Sequence, residues 1–449
     1  MFKKFFTYPV FLVLFLSFIG LILFGSILRH HYLGGKRLPI LQDVAVVISE
    51  IPKNVGHIIK YKNFNLNKPA PLLKHKQKKR FERFIQKQRN VLLILPRYDN
   101  ILNRSVVDVI DLNNFETIHT YKHDIAHWLK QVKNTEEFPK IMINNSPIRF
   151  QYKHPLILEN GSLISNSGDT PEFKIDVCSK LEWINDEEMF HHSRMLDHDG
   201  NLWVPGHMNP KSKYVIKYDL DEFDDDSVIK ISTDGKILYK KSVIEILIEN
   251  KIFPVNFALN SYLTGDRDPI HLNDIEPALS DTQYWKKGDL FLSIRNQSAI
   301  IHYRPSINKI INYITGPFSQ QHDVDIISDK KISIFNNNNF LKNNEHSEIL
   351  IYNFETNNFR KLFNDKIKKE NFKTRTNGLS DILKDGSLII EETIHGRIIL
   401  FNKNGEKEWE FVNKDKNGEI GRVNWFRIIE DEIFIKNFKM LLKTKKCTN

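Results

Sequence analysis

Three histidine sites and one arginine occupy one kind of position in this sequence, the join between an apolar β run and a polar loop. His191-His192 stands in MFHHSRMLDHDGNLWVP, His271 opens HLNDIEP, Arg295 ends a strand in SIRNQSAI, and His322 is followed by Asp323 in GPFSQQHDVD. Binding and catalytic groups favour such loop positions on a rigid scaffold. Arginine presents a planar fork that matches tetrahedral oxyanions such as sulfate and phosphate. Histidine serves near neutral pH as nucleophile, acid, base or hydrogen-bond donor. Arg295 beside the histidines and the lack of a close carboxylate pair argue against zinc, so no metal is expected. The chain has no glycine loop to cradle phosphates, no C-x-x-C pair and no G-x-S-x-G elbow. The residues therefore point to transfer of an oxyanion group without a nucleotide. Each has an ordinary explanation as well: a histidine beside an aspartate is often a turn residue, and Arg295 alone suits a structural ion pair. Recurrence at corresponding positions lifts the set above its members. His30, His31, His57, His75, His119, His127, His198 and His395 lack that placement and read as surface or structural, as do His207 and His302.

Short β runs must position these groups, and from residue 90 onward they recur as a loose repeat. The unit is an Asp/Asn-Gly turn, an apolar strand and a hairpin. The copies are Val91–Leu95 with Ser105–Tyr121, Gly161–Ser165 with Phe173–Trp183, and Asp199–Val204 with Tyr214–Tyr218 and Val228–Tyr239. They continue with Gly288–Ile294 and Ala299–Tyr313, Lys331–Phe335 and Glu348–Phe363, and Asp385–Glu391 and Arg397–Phe411. Six units predict an all-β fold, a six-bladed β-propeller; a β-sandwich plus a second β domain is the plainer alternative. A lone strand at Asp431–Lys436 is expected to close the ring by pairing near Val91–Leu95 or Val106–Ile110, which would protect an open sheet edge.

Ahead of the repeats, Tyr8 to Leu28 carries no charge and is long enough to cross a bilayer as a helix. The charged and bulky Leu28-Arg29-His30-His31 that follows lacks a small-residue cleavage signature, which favours an uncleaved anchor. The net charge of the 449 residues is +10, yet Lys53 to Asn90 holds twelve Lys/Arg against Glu82 alone. The body is thus close to neutral, with no basic groove for nucleic acid across it; the cluster Lys74–Arg89 reads as a solvated helix face first, a membrane-surface contact second and a nucleic-acid contact last. Short helices are expected at Leu41–Ile51 and Phe81–Gln88. Cys178 and Cys447 allow one bridge at most, and their spacing says nothing for it. The predicted organisation is an anchor at 1–37, a basic juxtamembrane neck at 38–89, the propeller at 90–438 and a basic tail at 439–449.

HHSRMLDHDGNLW, HLNDIEP, SIRNQSAI, GPFSQQHDVD and EETIHGRIILFNKNGEKEWEF together resemble the motifs of the bacterial PAPS-independent arylsulfotransferase family, over roughly residues 150–412. The resemblance implies a six-bladed propeller that moves a sulfuryl group from a phenolic sulfate ester to a phenolic acceptor, with no cofactor. It implies a ping-pong route through a sulfohistidine on His322, with His192, His271 and Arg295 holding the sulfuryl oxygens. Asn273, Thr393 and His191 become lesser substrate contacts. It also implies a catalytic domain on the periplasmic side of the inner membrane. Two rivals remain: a non-catalytic propeller that binds an anionic ligand or partner protein, and a metal-dependent hydrolase or lyase.

Overall fold

The computed structural model describes residues 8–32, 38–60, 72–122, 124–133, 146–217, 224–253, 268–339 and 346–447. The expectations for residues 33–37 and 61–71, for Tyr218 and for the side chain of His57 lie outside them. The chain divides into two compact units, residues 1–66 with 254–269, and residues 67–253 with 270–449. The first contains α1 (Tyr8–Tyr32) and α2 (Pro39–Lys60). Tyr8–His31 is long and apolar enough to cross a membrane, and none of it is buried. The helix expected at Leu41–Ile51 lies inside α2.

The second unit is an all-β, propeller-like arrangement. It begins with β1 (Phe81–Arg83), followed by the meander β2 (Leu92–Asp99), β3 (Arg104–Asp111) and β4 (Glu116–Lys122). Next come β5 (Lys153–Ile157), β6 (Leu163–Asn166), β7 (Thr170–Ile175), β8 (Leu181–Phe190), β9 (Met195–Leu196), β10 (Leu202–His207), β11 (Asp226–Ile231) and β12 (Ile237–Ser242). Two four-stranded meanders follow, β13 (Leu272–Pro277) to β14 (Leu290–Ile294), β15 (Ala299–Arg304) and β16 (Lys309–Ile314), then β17 (Val324–Ser328), β18 (Lys331–Asn336), β19 (Glu348–Asn353) and β20 (Asn358–Lys361). The last sheet holds β21 (Leu379–Ile382), β22 (Leu388–Glu392), β23 (Arg397–Phe401) and β24 (Lys407–Val412), and β25 (Arg427–Ile429) returns to the first. Apolar side chains from facing sheets fill the spaces between them, as where Leu93, Leu95 and Ile110 meet Ile389, Leu400, Trp409 and Trp425. Each such buried side chain contributes about 1.5–3 kcal/mol.

The turns that begin each unit are built as the sequence suggests. Before β10, the Asp197 carboxylate accepts the backbone N–H groups of Asp199 and Asn201, and Gly200 takes the left-handed conformation at φ 76°. Before β22, Asp385 accepts from Ser387 and Gly386 sits at φ 83°. Only glycine enters that region freely.

Four readings are corrected. The sheets do not separate into six: four have four or five strands each, and one has eight, a continuous run of seven from β5 to β12 with β9 attached beside β10. The cause is β8, whose end outruns its own hairpin and pairs with β10 through Phe190–Gly206 and Met189–His207. Asp431–Lys436 is not the closing strand, because helix Glu432–Thr444 begins there, capped by the Asp431 carboxylate on the N–H of Phe434. Closure is made instead by β25, which pairs Ile429 with Leu92 and Arg427 with Ile94. The expected strand at Tyr214 is a short helix, Lys213–Lys217.

The basic cluster is the fourth. Phe81–Gln88 is not helical; β1 adds to the outer edge of β24 and Phe81 stacks on Phe115. Lys74 pairs with Glu392, Lys78 with Glu410 at 2.7 Å, Lys87 with Asp385 at 2.6 Å and Arg89 with Glu408 at 2.7 Å. These four charges pair with a band of propeller carboxylates, and the segment is not a helix face.

Candidate active site

The entrances of the first strands bring His154, His192, His271, His322, Asn377 and Trp425 toward one place. Five of these six are non-glycine residues in the left-handed region, at φ 41°, 56°, 53°, 57° and 64° for His154, His192, His271, Asn377 and Trp425. That conformation costs free energy in a residue with a Cβ, and such residues gather at functional sites. Ties between neighbouring sheets hold the entrances in place. Carboxylates reach across to the next strand's N–H groups: Asp226 to Leu272 at 2.7 Å, Asp274 to Val324 at 2.9 Å, Asp323 to Ser380 at 3.0 Å, and Glu391 to Trp425 at 2.8 Å and Phe426 at 3.0 Å.

The result is a histidine triangle. Ring centroids lie 5.1 Å apart for His192–His271, 6.3 Å for His192–His322 and 6.4 Å for His271–His322. Trp425 covers it, 5.8 Å from His192 and 6.4 Å from His322, and the Lys153 ammonium stands 5.5 Å over the indole.

His322 has both ring nitrogens engaged. Nδ1 faces Asn337 Oδ1 at 2.6 Å and the Gln320 carbonyl at 3.2 Å, so it carries the proton. Nε2 then holds the lone pair and accepts the Asn377 N–H at 2.9 Å. Asp323 does not orient the ring, because its carboxylate is spent on Ser380. Burial, then the charge of Arg295, push the His322 pKa well below the ordinary histidine value, so the ring is neutral at pH 7. Burial, then Lys153, do the same to His192. Burial also brings the Lys153 ammonium down to about 7, poised between charged and neutral.

A second set of positions, just past the second strand of a sheet, supplies Arg295, Asn337 and Thr393. Arg295 hydrogen-bonds Asn296 at 2.6 Å and Gln320 at 3.3 Å, and its backbone N–H donates to the His271 carbonyl at 3.0 Å. Thr393 accepts from the Gly378 N–H at 3.1 Å and donates to Glu391 at 2.5 Å. It therefore fixes the loop that carries Asn377. Asn273 is buried and donates to the Gln321 carbonyl at 2.9 Å, beside His322. His191 stands behind His192, with their Nδ1 atoms 2.8 Å apart.

Sequence reasoning missed Lys153, His154, Asn337, Asn377 and Trp425. The strand-entrance rule would have found three of them, but each sits in a unit where the sequence placed no entrance strand. A cavity of about 570 Å³ is lined by Asp274, Asp323, Asp325, Asp381, Arg427 and His154; His192, His271 and His322 do not line it. Burial raises the pKa of its carboxylates, Asp274 to about 6.

A layer of histidines beside an arginine, with His192 and His322 neutral, can bind a tetrahedral anion and offer it a nitrogen nucleophile. Residues 155–414 match the arylsulfotransferase (ASST) family, well over half of the chain, and the protein belongs to that family. At the family level it is a sulfotransferase. A search among curated proteins finds no match. Solved structures similar to it include a protein of unknown function from Bacteroides caccae, at 12% identity over 76% of this chain and 99% of that one, TM-score 0.47. Others are virginiamycin B lyase from Staphylococcus aureus (13% identity, 57% of this chain and 69% of that one, TM-score 0.33) and Kuenenia stuttgartiensis hydrazine synthase (11%, 67% and 71%, TM-score 0.38). At these scores the likenesses carry no argument.

Proposed function

We propose that this protein moves a sulfuryl group from a phenolic sulfate ester to a phenolic acceptor through a sulfohistidine on His322, without a nucleotide cofactor. The observation that carries the reading is the state of His322: neutral, with Nδ1–H fixed on Asn337 and a lone pair on Nε2, inside a ring of His192, His271 and Arg295. Attack by Nε2 on sulfur breaks the S–O bond to the phenol and forms an S–N bond. The departing phenolate is stabilised, in this reading, by the Arg295 charge and by hydrogen bonds from His192 and His271. In the second half the acceptor phenol attacks sulfur, the S–N bond breaks and returns its electron pair to Nε2, and the acceptor's proton ends, through water, on the phenolate released in the first half. The Asn377 N–H caps Nε2 in the resting site, so a bound sulfate ester must displace that hydrogen bond. The same cap favours one rival, a propeller that binds an anion without reacting.

Six strand entrances occur in this unit, which supports reading the eight-stranded sheet as two blades and the whole as a six-bladed ring. We further place α1 as a single-pass inner-membrane anchor with the propeller on the periplasmic side. The Cys178–Cys447 disulfide supports an oxidising compartment.

Intact-protein mass after mixing with an aryl sulfate and no acceptor tests the mechanism. A gain of one sulfuryl group, located on the His322 peptide and discharged by phenol, is expected, and His322→Asn removes both adduct and transfer. Turnover without an adduct, or an undiminished His322→Asn protein, overturns the sulfohistidine; binding without turnover leaves the anion-binding propeller.

A further inference from the structure

Behind the reactive layer, β10 and β11 pair so that His207 stands opposite Asp226. His191, one residue past β8, is drawn to the same spot by its N–H to the Pro205 carbonyl at 3.0 Å. Its Nε2 lies 3.2 Å from Asp226 Oδ1, and His207 Nδ1 lies 3.4 Å from that same oxygen. Both nitrogens are buried and neither makes a hydrogen bond, although each lies within ion-pair distance of Asp226. The three donor atoms lie within 4.8 Å of one another.

We propose that His191, His207 and Asp226 form a zinc site, with Nε2, Nδ1 and Oδ1 as ligands. Tetrahedral zinc holds nitrogen and oxygen ligands at about 2.0–2.1 Å, so neighbouring ligand atoms stand about 3.3 Å apart. The two spacings to Asp226 match that edge. The outer contacts fit as well. His207 Nε2 meets Asp169 at 3.1 Å, the carboxylate–histidine arrangement that presents the other nitrogen to a metal. Asp226 Oδ2 is held by the Leu272 N–H at 2.7 Å, which aims Oδ1 at the histidines. Negative charge is at hand in Asp226 and Asp169. The triangle of His192, His271 and His322 is a poorer site, with no carboxylate and with Arg295 and Lys153 beside it.

Such a site sets the tautomer of the reactive layer. With a metal on Nε2, the proton of His191 resides on Nδ1 and is donated to His192 Nδ1, 2.8 Å away. His192 must then carry its own proton on Nε2, as a donor. The inference does not depend on the chemistry proposed for His322.

Elemental analysis of the purified full chain, loaded with zinc sulfate and dialysed against metal-free buffer, is the test. One zinc per chain is expected for wild type, for His271→Ala and for His322→Asn, and less than a tenth of that for His207→Ala. Cobalt(II) in place of zinc should give the intense visible bands of a tetrahedral ion. Circular dichroism shows whether His207→Ala is folded; if it is not, the wild-type cobalt spectrum and the His322→Asn stoichiometry decide. Wild type that binds no zinc, folded His207→Ala that keeps it, His322→Asn that loses it, or cobalt protein without tetrahedral bands each overturns the site.

Discussion

His322 depends on its neighbours for its state more than on its own chemistry. Asn337 settles which nitrogen carries the proton, and Arg295 helps keep the ring neutral. Replacing Asn337 by Ala should lower the turnover of an aryl sulfate about 10- to 100-fold with little change in KM, because substrate still binds but the lone pair is no longer held on Nε2. Steady-state kinetics read this, and a change confined to KM would assign Asn337 to binding. Arg295→Ala removes a charged donor from the proposed oxyanion site and should cost about 10²–10³ in turnover. Arg295→Lys keeps the charge without the fork, so it should fall between wild type and Arg295→Ala. Equal activity in all three proteins would take Arg295 out of the reaction.

The edge segment ahead of the first sheet is fastened by one carboxylate in particular. Glu392, fully buried, receives His75 at 2.8 Å and Arg397 at 2.8 Å as well as Lys74, and its backbone neighbour Thr393 holds the Asn377 loop. Burial alone would raise its pKa, but His75, Arg397 and Lys74 outweigh that and lower it to about 2. A depressed carboxylate gives stability that is present above its unfolded value, near 4.5, and is lost as pH falls through its folded value. The melting temperature should therefore drop between about pH 4.5 and 2, and Glu392→Gln should flatten that part of the profile. At neutral pH the same substitution removes one of the carboxylates that face the buried Arg397, which keeps Glu410, and should destabilise by about 1–3 kcal/mol. Thermal scans across pH measure both, and an unaltered acid limb in Glu392→Gln would assign the drop to other groups.

Across the propeller unit, the chain ends are tied twice. β25 completes the sheet of β2, and Cys447, beyond the C-terminal helix, is bridged to Cys178, 269 residues earlier. Ile435 and Phe438 of that helix are buried against Leu92, Ile94 and Tyr121. Cys447→Ser should lower the unfolding free energy by about 2–5 kcal/mol, because the bridge closes a long loop of the unfolded chain. Removing residues 427–449 should do more, since it opens the first sheet at β2. Urea titrations compare the two; a truncated protein as stable as Cys447→Ser would show that β25 adds nothing beyond the bridge.

The sequence by itself determined the all-β repeat, the family, and the meeting of His192, His271, His322 and Arg295, because each is a local matter. Asp/Asn-Gly turns and alternating apolar runs set strands from their nearest neighbours, and a residue's place within a unit predicts which end of the sheet it occupies. Partnerships between distant segments were decided only by tertiary structure. Phe81–Arg83 has a composition that suits a helix face, yet it became a strand because β24 offered an open edge and Phe115 an aromatic surface. The basic run reads as solvated until Glu392, Glu408 and Glu410 come to face it from more than 300 residues away. Trp425 and Asn377 entered the site through the left-handed backbone at strand entrances, which no residue type announces. Closure followed the same logic: Asp431 caps a helix locally, so the chain used Arg427–Ile429, the last extended residues before that cap, to satisfy the exposed edge of β2.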